Sequence, residues 1–261
     1  MDHSKIALLF IIPLMLMGCN LNDNDGDETS DLEGAVNILI AEGHMEQGEP
    51  SIVVYHETEE TQPCANTEII NDFEVSGEMI TSSLEGILEP ETCTTPGQPA
   101  VSQNFINLDN GDYLLEISHR DNTDMYNVTV SPDSITLEEQ QSSFTNTLFE
   151  VSWRYPPNSF AILCGTLDGN ATPCNDFVDA LNNNMDLEEV TFPDHGFTPY
   201  PASTTGFEYD APGQYFIYND AGDFDEIGTL LQEYDVQEQA AASGFAIFLV
   251  NWEARQFVIG Q

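Results

Sequence analysis

Between residues 35 and 140 the apolar side chains come in short runs and in alternation. Val36-Asn37-Ile38-Leu39-Ile40 and Ser51-Ile52-Val53-Val54-Tyr55 are rich in β-branched residues and bounded by Gly and Pro. Phe73, Val75 and Ile87-Leu88 continue the pattern. Tyr113-Leu114-Leu115-Glu116-Ile117 and Tyr126-Asn127-Val128-Thr129-Val130 alternate with period two, separated by a polar, turn-rich stretch. Short strands at this spacing predict a β-sandwich over residues 35–140.

Residues 138–146 are polar and read as a linker. From residue 145 to 261 the pattern is mixed and predicts a smaller α+β domain. Phe149, Val151, Trp153 and Tyr155 alternate as one face of a strand that Pro156-Pro157 stops. Thr172-Pro173 is an N-cap followed by Pro at the first helical position, and Phe177, Val178 and Leu181 share a face of the helix that follows. Residues 187–192 read as a strand. Asp210-Ala211-Pro212-Gly213 signals a turn into a strand over 214–218. Asp223 to Glu226 resembles a capping box, with Ile227, Leu230, Leu231 and Tyr234 at helical spacing, Gly228 inside the helix and Gly244 as its stop. Residues 245–252 are apolar on both faces, as in a buried central strand, and Glu253-Ala254-Arg255 turns the chain back into residues 256–259.

The N-terminus has one Lys, an apolar run over residues 6–17 and then Leu16-Met17-Gly18-Cys19. The run is too short to span a bilayer comfortably and has signal-peptide length. This segment resembles the lipobox signal peptide of bacterial lipoproteins. The resemblance implies a signal peptide over 1–18, cleavage before Cys19, and a diacylglycerol on its sulfur. Residues 19–34 then form a lipidated acidic tether. Asn20 stands where that family carries Asp for inner-membrane retention, so the resemblance implies outer-membrane or cell-surface anchoring in a cell that has an outer membrane. The tether fragment Asp23-Asn24-Asp25-Gly26-Asp27 does not fit an EF-hand, because Leu21 occupies the first-ligand position and no Glu falls at the twelfth.

The segment Leu108-Asp109-Asn110-Gly111-Asp112-Tyr113 resembles the tyrosine corner of immunoglobulin-like sandwiches. The resemblance implies an immunoglobulin-like β-sandwich for the first domain. Leu115 stands where antibody domains carry Cys, so the domain is not of the antibody type.

Beyond Cys19 there are four cysteines, Cys64, Cys93, Cys164 and Cys174. An even count in an exported chain predicts two disulfides. Three pairings exist. Nearest-neighbour pairing keeps each bridge inside one domain, and each loop closed would contribute roughly 3 to 4 kcal/mol. The rival is a zinc site, which lacks both a C-x-x-C and a His at ligand spacing.

The charge is extreme: 46 Asp and Glu against 4 Lys and Arg, a net charge of -42. Such a surface argues against phosphate-backbone binding, so no nucleic-acid partner is expected, and it argues against simple adhesion to anionic lipid. The acids are spread along the chain, as expected for a surface adapted to salt. The rival is a cation-binding surface, and its best metal candidate is a calcium set of Asp220, Asp223, Asp225 and Glu226, residues that helix capping also explains. Arg120, Arg154 and Arg255 are each expected to make a structural ion pair.

No G-x-S-x-G, H-E-x-x-H, phosphate-binding loop or dinucleotide fingerprint is present. No catalytic residue is assigned and no cofactor is expected apart from calcium. The ligand-binding candidates are His195, Phe197 and Tyr200, in the Pro-rich aromatic loop over 193–201. The expected function is therefore a lipid-anchored envelope or surface lipoprotein that binds or scaffolds an envelope protein or an extracellular ligand. The alternative is an extracytoplasmic hydrolase acting through the second domain.

Overall fold

The structure is a computed structural model that describes residues 29–166, 172–200, 213–220, 222–238 and 245–260. The signal segment, Cys19, residues 20–28, residues 210–212 of the expected turn, and Gly244 lie outside them. The described chain is mainly β.

Eleven strands form one sheet: β1 (Thr29–Ser30), β2 (Val36–Gly43), β3 (Ser51–Thr61), β4 (Glu68–Ser76), β5 (Met79–Leu88), β6 (Pro99–Ile106), β7 (Gly111–His119), β8 (Asn122–Val130), β9 (Ser134–Gln141), β10 (Thr145–Thr147) and β11 (Val151–Trp153). Their order is β10-β2-β3-β6-β4-β5-β7-β8-β9-β11, with β1 paired to β5. β10 and β11 stand at opposite ends of this order, yet only residues 148–150 separate them in the chain. The sheet therefore curls until its two ends meet. β10 pairs parallel to β2, and β11 pairs antiparallel to β9.

The period-two pattern explains the curl. In β3, Ile52, Val54, His56 and Thr58 are buried while the residues between them are partly exposed. Val36, Ile38 and Ile40 of β2, Ile80 and Leu84 of β5, Leu115 and Ile117 of β7, and Tyr126 and Val128 of β8 line the same core. Each such side chain contributes about 1.5 to 3 kcal/mol by leaving water.

Two expected boundaries move. Residues 29–34 belong to the fold rather than to the tether: β1 pairs with Ile87 and Leu88, Leu32 is buried in the core, and Asp31 pairs with Arg120 at 2.8 Å. An apolar Leu32 gains more from burial than from remaining in a solvated tether. Residues 138–146 are not a linker either; they complete β9, turn, and begin β10. Asp124, fully buried, holds that turn. Its carboxylate accepts the N–H and hydroxyl of Ser143 (2.8 and 2.7 Å), the N–H of Phe144 (3.0 Å), and the N–H and hydroxyl of Thr145 (2.8 and 2.6 Å). A buried charge so surrounded satisfies a turn whose sequence alone looks merely polar.

The second sheet contains β12 (Ser159–Thr166), β13 (Glu188–Val190), β14 (Gln214–Ile217), β15 (Phe245–Asn251) and β16 (Gln256–Ile259), all antiparallel, in the order β13-β14-β12-β15-β16. One face packs on α1 (Thr172–Asn184) and α2 (Asp223–Glu238) through Phe160, Ile162, Phe177, Leu181, Phe224, Ile227, Leu231 and Ile247. The other face, with Ala161 and Val250, packs on Tyr200, Tyr155, Phe192 and Tyr215. Because β15 lies between β12 and β16 with both faces covered, its sequence is apolar throughout.

Cys64 pairs with Cys93 and Cys164 with Cys174, with Cα atoms 5.0 and 6.0 Å apart. The second bridge ties β12 to α1. Disulfides fit an oxidising, extracytoplasmic setting. Among the described residues no helix is long and apolar enough to cross a membrane.

Candidate functional site

The outer face of β2, β3 and β6 carries a concave apolar surface. Register places Tyr55 between Leu39 and Gln103, and Val53 between Ala41 and Phe105. Alternation puts these six side chains on the face away from the core. Glu42, Gly43, His44 and Phe197 also line this open groove of about 290 Å³. Gly43 matters here because a Cβ at that position would stand 3.4 Å from Val53 and 3.6 Å from the Phe105 ring.

The polar groups of this groove have fixed directions. The Tyr55 hydroxyl donates to Glu57 Oε2 at 2.7 Å. Burial, then that hydrogen bond and the Glu57 charge, hold the Tyr55 phenol well above its ordinary range, so it stays a protonated donor. His44 Nε2 meets the Trp252 carbonyl at 2.9 Å, and its ring stands edge-on to Tyr155 with centroids 5.0 Å apart. Glu42 accepts from Arg154 Nε at 2.7 Å and from the Tyr155 N–H at 2.7 Å. Burial, then the Glu42 charge, also raises the Tyr155 phenol.

The loop before Pro201 supplies Phe197. Phe197 N–H donates to the Val151 carbonyl and Trp153 N–H donates to the Phe197 carbonyl, both at 2.8 Å, so the loop adds a one-residue bridge to β11. Gly196, at φ 110°, permits this approach; a Cβ there would lie 2.8 Å from the Val151 carbonyl oxygen. The Phe197 ring lies 5.6 Å from that of Phe149, and Leu148 and Phe149 are exposed at 40% and 41%. The groove thus continues into an exposed apolar patch.

The three expected ligand-binding residues take different places. Phe197 lines the groove. His195 is exposed; its carbonyl accepts Trp153 Nε1 at 3.1 Å and its ring stands edge-on to Trp153, 5.9 Å away. Among the described residues no ion pair joins it to a carboxylate. Tyr200 is a core residue, 2% exposed, rather than part of a platform. Its hydroxyl meets Ser159 Oγ at 2.5 Å and its ring stacks on Tyr215, because the loop turns it beneath the second sheet. Burial raises the Tyr200 phenol well above its ordinary value.

Asp220, Asp223, Asp225 and Glu226 are brought to the start of α2, where the three aspartates have local partners. Asp220 Oδ1 accepts the Gly222 N–H at 3.0 Å, Asp223 Oδ2 accepts the Asp220 N–H at 2.9 Å, and Asp225 takes Arg255. The three acids of the first turn face the positive helix end. Among the described residues no group of three or more His, Cys, Asp or Glu side chains has metal-ligand geometry. The expected pairing of each arginine is seen: Arg120 with Asp31, Arg154 with Glu42, and Arg255 with Asp225.

Tyr55, Gln103 and Phe105 were not singled out by the sequence. Their alternation with core residues is visible there, but which strand lies next to which is not. Two buried histidines were also missed. His56 Nδ1 meets Ser102 Oγ at 3.0 Å and His119 Nδ1 meets the Leu84 carbonyl at 2.9 Å, while both Nε2 atoms lack a partner among the described residues. Burial pushes His56 down to about 4.

Compared with protein-family models, curated proteins and solved structures, the chain matches none.

Proposed function

We propose that this protein is an exported, lipid-anchored surface protein whose role is binding, and that the groove between β2, β3, β6 and Phe197 is its binding surface. The observation that carries the reading is the groove itself: Tyr55, Phe105 and Phe197 converge on an open apolar concavity continuous with exposed Leu148 and Phe149. An apolar concavity with a few oriented polar groups is the usual form of a ligand site, and exposed apolar patches mark interaction surfaces. The anchor rests on the lipobox resemblance ending at Cys19. The oxidised cysteines agree with export. Within this reading the first unit is a sandwich of immunoglobulin-like type. Its support is the Tyr113 hydroxyl, which donates to the Asp109 carbonyl four residues upstream at 2.9 Å.

Two measurements test it. Cys19→Ser should release the protein from membranes into the soluble fraction and abolish incorporation of labelled fatty acid; retention with label would refute the anchor. A photo-crosslinking amino acid placed at Tyr55 or Phe105 in cells should give a discrete adduct that the same group at Thr81 does not give. Equal or absent adducts at the three sites would refute the groove.

A further inference from the structure

Among the described residues many strand edges are kept short or acidic, and β6 departs from this. β1, β10, β11, β13 and β16 have two to four residues each. β4 carries Glu68, Asp72 and Glu74, and β13 carries Glu188 and Glu189. Short length and charge are the two common ways of blocking edge-to-edge pairing. β6 has neither. It is eight residues long, and it meets β4 at a single residue pair, Val101 with Glu68, after which the two strands part. On the side away from β3, residues 102–106 have no strand partner among the described residues. Asn104, in the middle of β6 and opposite core-facing Val54, has a buried Nδ2 without a partner among the described residues.

The sequence of the edge is as unusual as its pairing. In a chain with 46 acids, residues 92–108 contain none. This free edge borders the groove, because Gln103 and Phe105 project onto the groove face.

We infer that β6 is an acceptor edge for strand addition, and that its occupant is an extended basic segment of a partner protein. The open row of backbone groups recognises an extended backbone. The groove beside Phe105 receives alternate side chains, and the chain's net charge of -42 selects Lys and Arg among the rest. A second copy of this chain would bring the same negative charge to the edge and be repelled. The inference rests on the binding role proposed above and names the partner's chemistry.

The test uses the full-length protein in detergent micelles, with empty micelles as control. The probes are fluorescein-labelled eight-residue peptides: alternating Lys and Val, alternating Glu and Val, and the Lys–Val peptide with Pro at its centre. The Lys–Val peptide should bind at least about tenfold more tightly than either of the others. It should also slow amide hydrogen exchange over residues 102–106. Successive N–H groups of a strand point to opposite sides, so one of Gln103→Pro and Asn104→Pro removes an outward donor while sparing the ladder to β3. The variant that keeps its circular dichroism and melting temperature should lose about tenfold or more in affinity.

Equal binding of the Pro-containing peptide would overturn strand addition in favour of unstructured electrostatic adhesion. Exchange protection elsewhere, or no binding at all, would also overturn strand addition. Self-association in sedimentation that protects β6 would replace the basic partner with a second copy. A discrete cellular adduct at Phe105 combined with any of these failures would leave the groove standing and reject only the edge. Absence of that adduct with strand addition intact would do the reverse.

Discussion

Arg154 Nε donates to Glu42 Oε1 at 2.7 Å, and the side chains are 23% and 4% exposed. The same guanidinium donates from Nη1 to the Ser131 carbonyl at 2.7 Å and to Asn110 Oδ1 at 3.0 Å. Arg154 follows β11, the last strand of the first sheet, and Tyr155 leads toward the second. One ion pair therefore fixes the point at which the chain leaves one sheet for the other, and it walls one end of the groove. Replacing Arg154 by Met leaves Glu42 buried and unpaired. The expected loss is roughly 3 kcal/mol in urea unfolding, the low end for a broken buried pair because Arg154 is partly exposed. A Glu42→Gln, Arg154→Met double variant should recover part of that loss. If the single variant unfolds at the wild-type urea concentration, the pair has no structural role.

His56 gives the first sheet an acid-sensitive core. The folded state holds the imidazole neutral, with its pKa lowered to about 4 from 6.5, because burial disfavours the cation. The unfolded chain takes the proton near 6.5. Stability from this group is therefore fully present above pH 6.5 and falls as pH drops through the window to about 4, by about 3 kcal/mol. His56→Leu should flatten the stability–pH curve between pH 6.5 and 4. An unchanged slope in that window would show that another group causes it.

Asp124 governs a lower window. Burial pushes its carboxyl up, but the hydrogen bonds from Thr145, Ser143 and the backbone of residues 144 and 145 outweigh this and hold it below 3.8. Its contribution is present above pH 3.8 and disappears as pH falls through the lowered folded value. Asp124→Ala should cost about 3 kcal/mol at pH 7, because it leaves several buried donors unmet. It should also speed hydrogen exchange at Thr145 and at Val36, whose N–H donates to the Phe144 carbonyl. Slow exchange at both amides in the variant would contradict the role given to Asp124.

Gly228→Ala should destabilise the second sheet although alanine is the better helix former by about 1 kcal/mol. A Cβ at residue 228 would stand 2.5 Å from Phe257 ring carbons, so α2 or β16 must shift. Overpacking of this kind costs about 1 to 3 kcal/mol. Phe257→Leu in the same chain should relieve it. A rise in melting temperature for the single variant would show that the ring moves aside freely.

Asp220, Asp223 and Asp225 at the start of α2 are committed to local backbone hydrogen bonds and to Arg255, and the remaining charge is spread over the surface. Melting temperature should therefore rise with ionic strength, and by the same amount in sodium, magnesium and calcium chloride at matched ionic strength. A calcium-specific rise lost in Asp223→Asn and Asp225→Asn would establish an ion site at residues 220–226 instead.

The local elements were legible in the sequence because their causes are local. β-branched runs marked β2 and β3, and alternation marked β7 and β8. Thr172-Pro173 and the Asp223–Glu226 box marked the starts of α1 and α2, and two-sided apolarity marked β15 as central. The cysteine count anticipated two bridges. Strand adjacency was not legible, because a residue's own neighbours in sequence do not say which strand it will pair with. That β6 lies beside β3 and only touches β4, that Leu39, Tyr55, Phe105 and Phe197 meet in one groove, and that Tyr200 is buried were decided by long-range pairing and packing. Tertiary structure also turned a polar stretch, residues 138–146, into part of a sheet. Asp124, distant in sequence, supplies the acceptors that the turn's own residues lack.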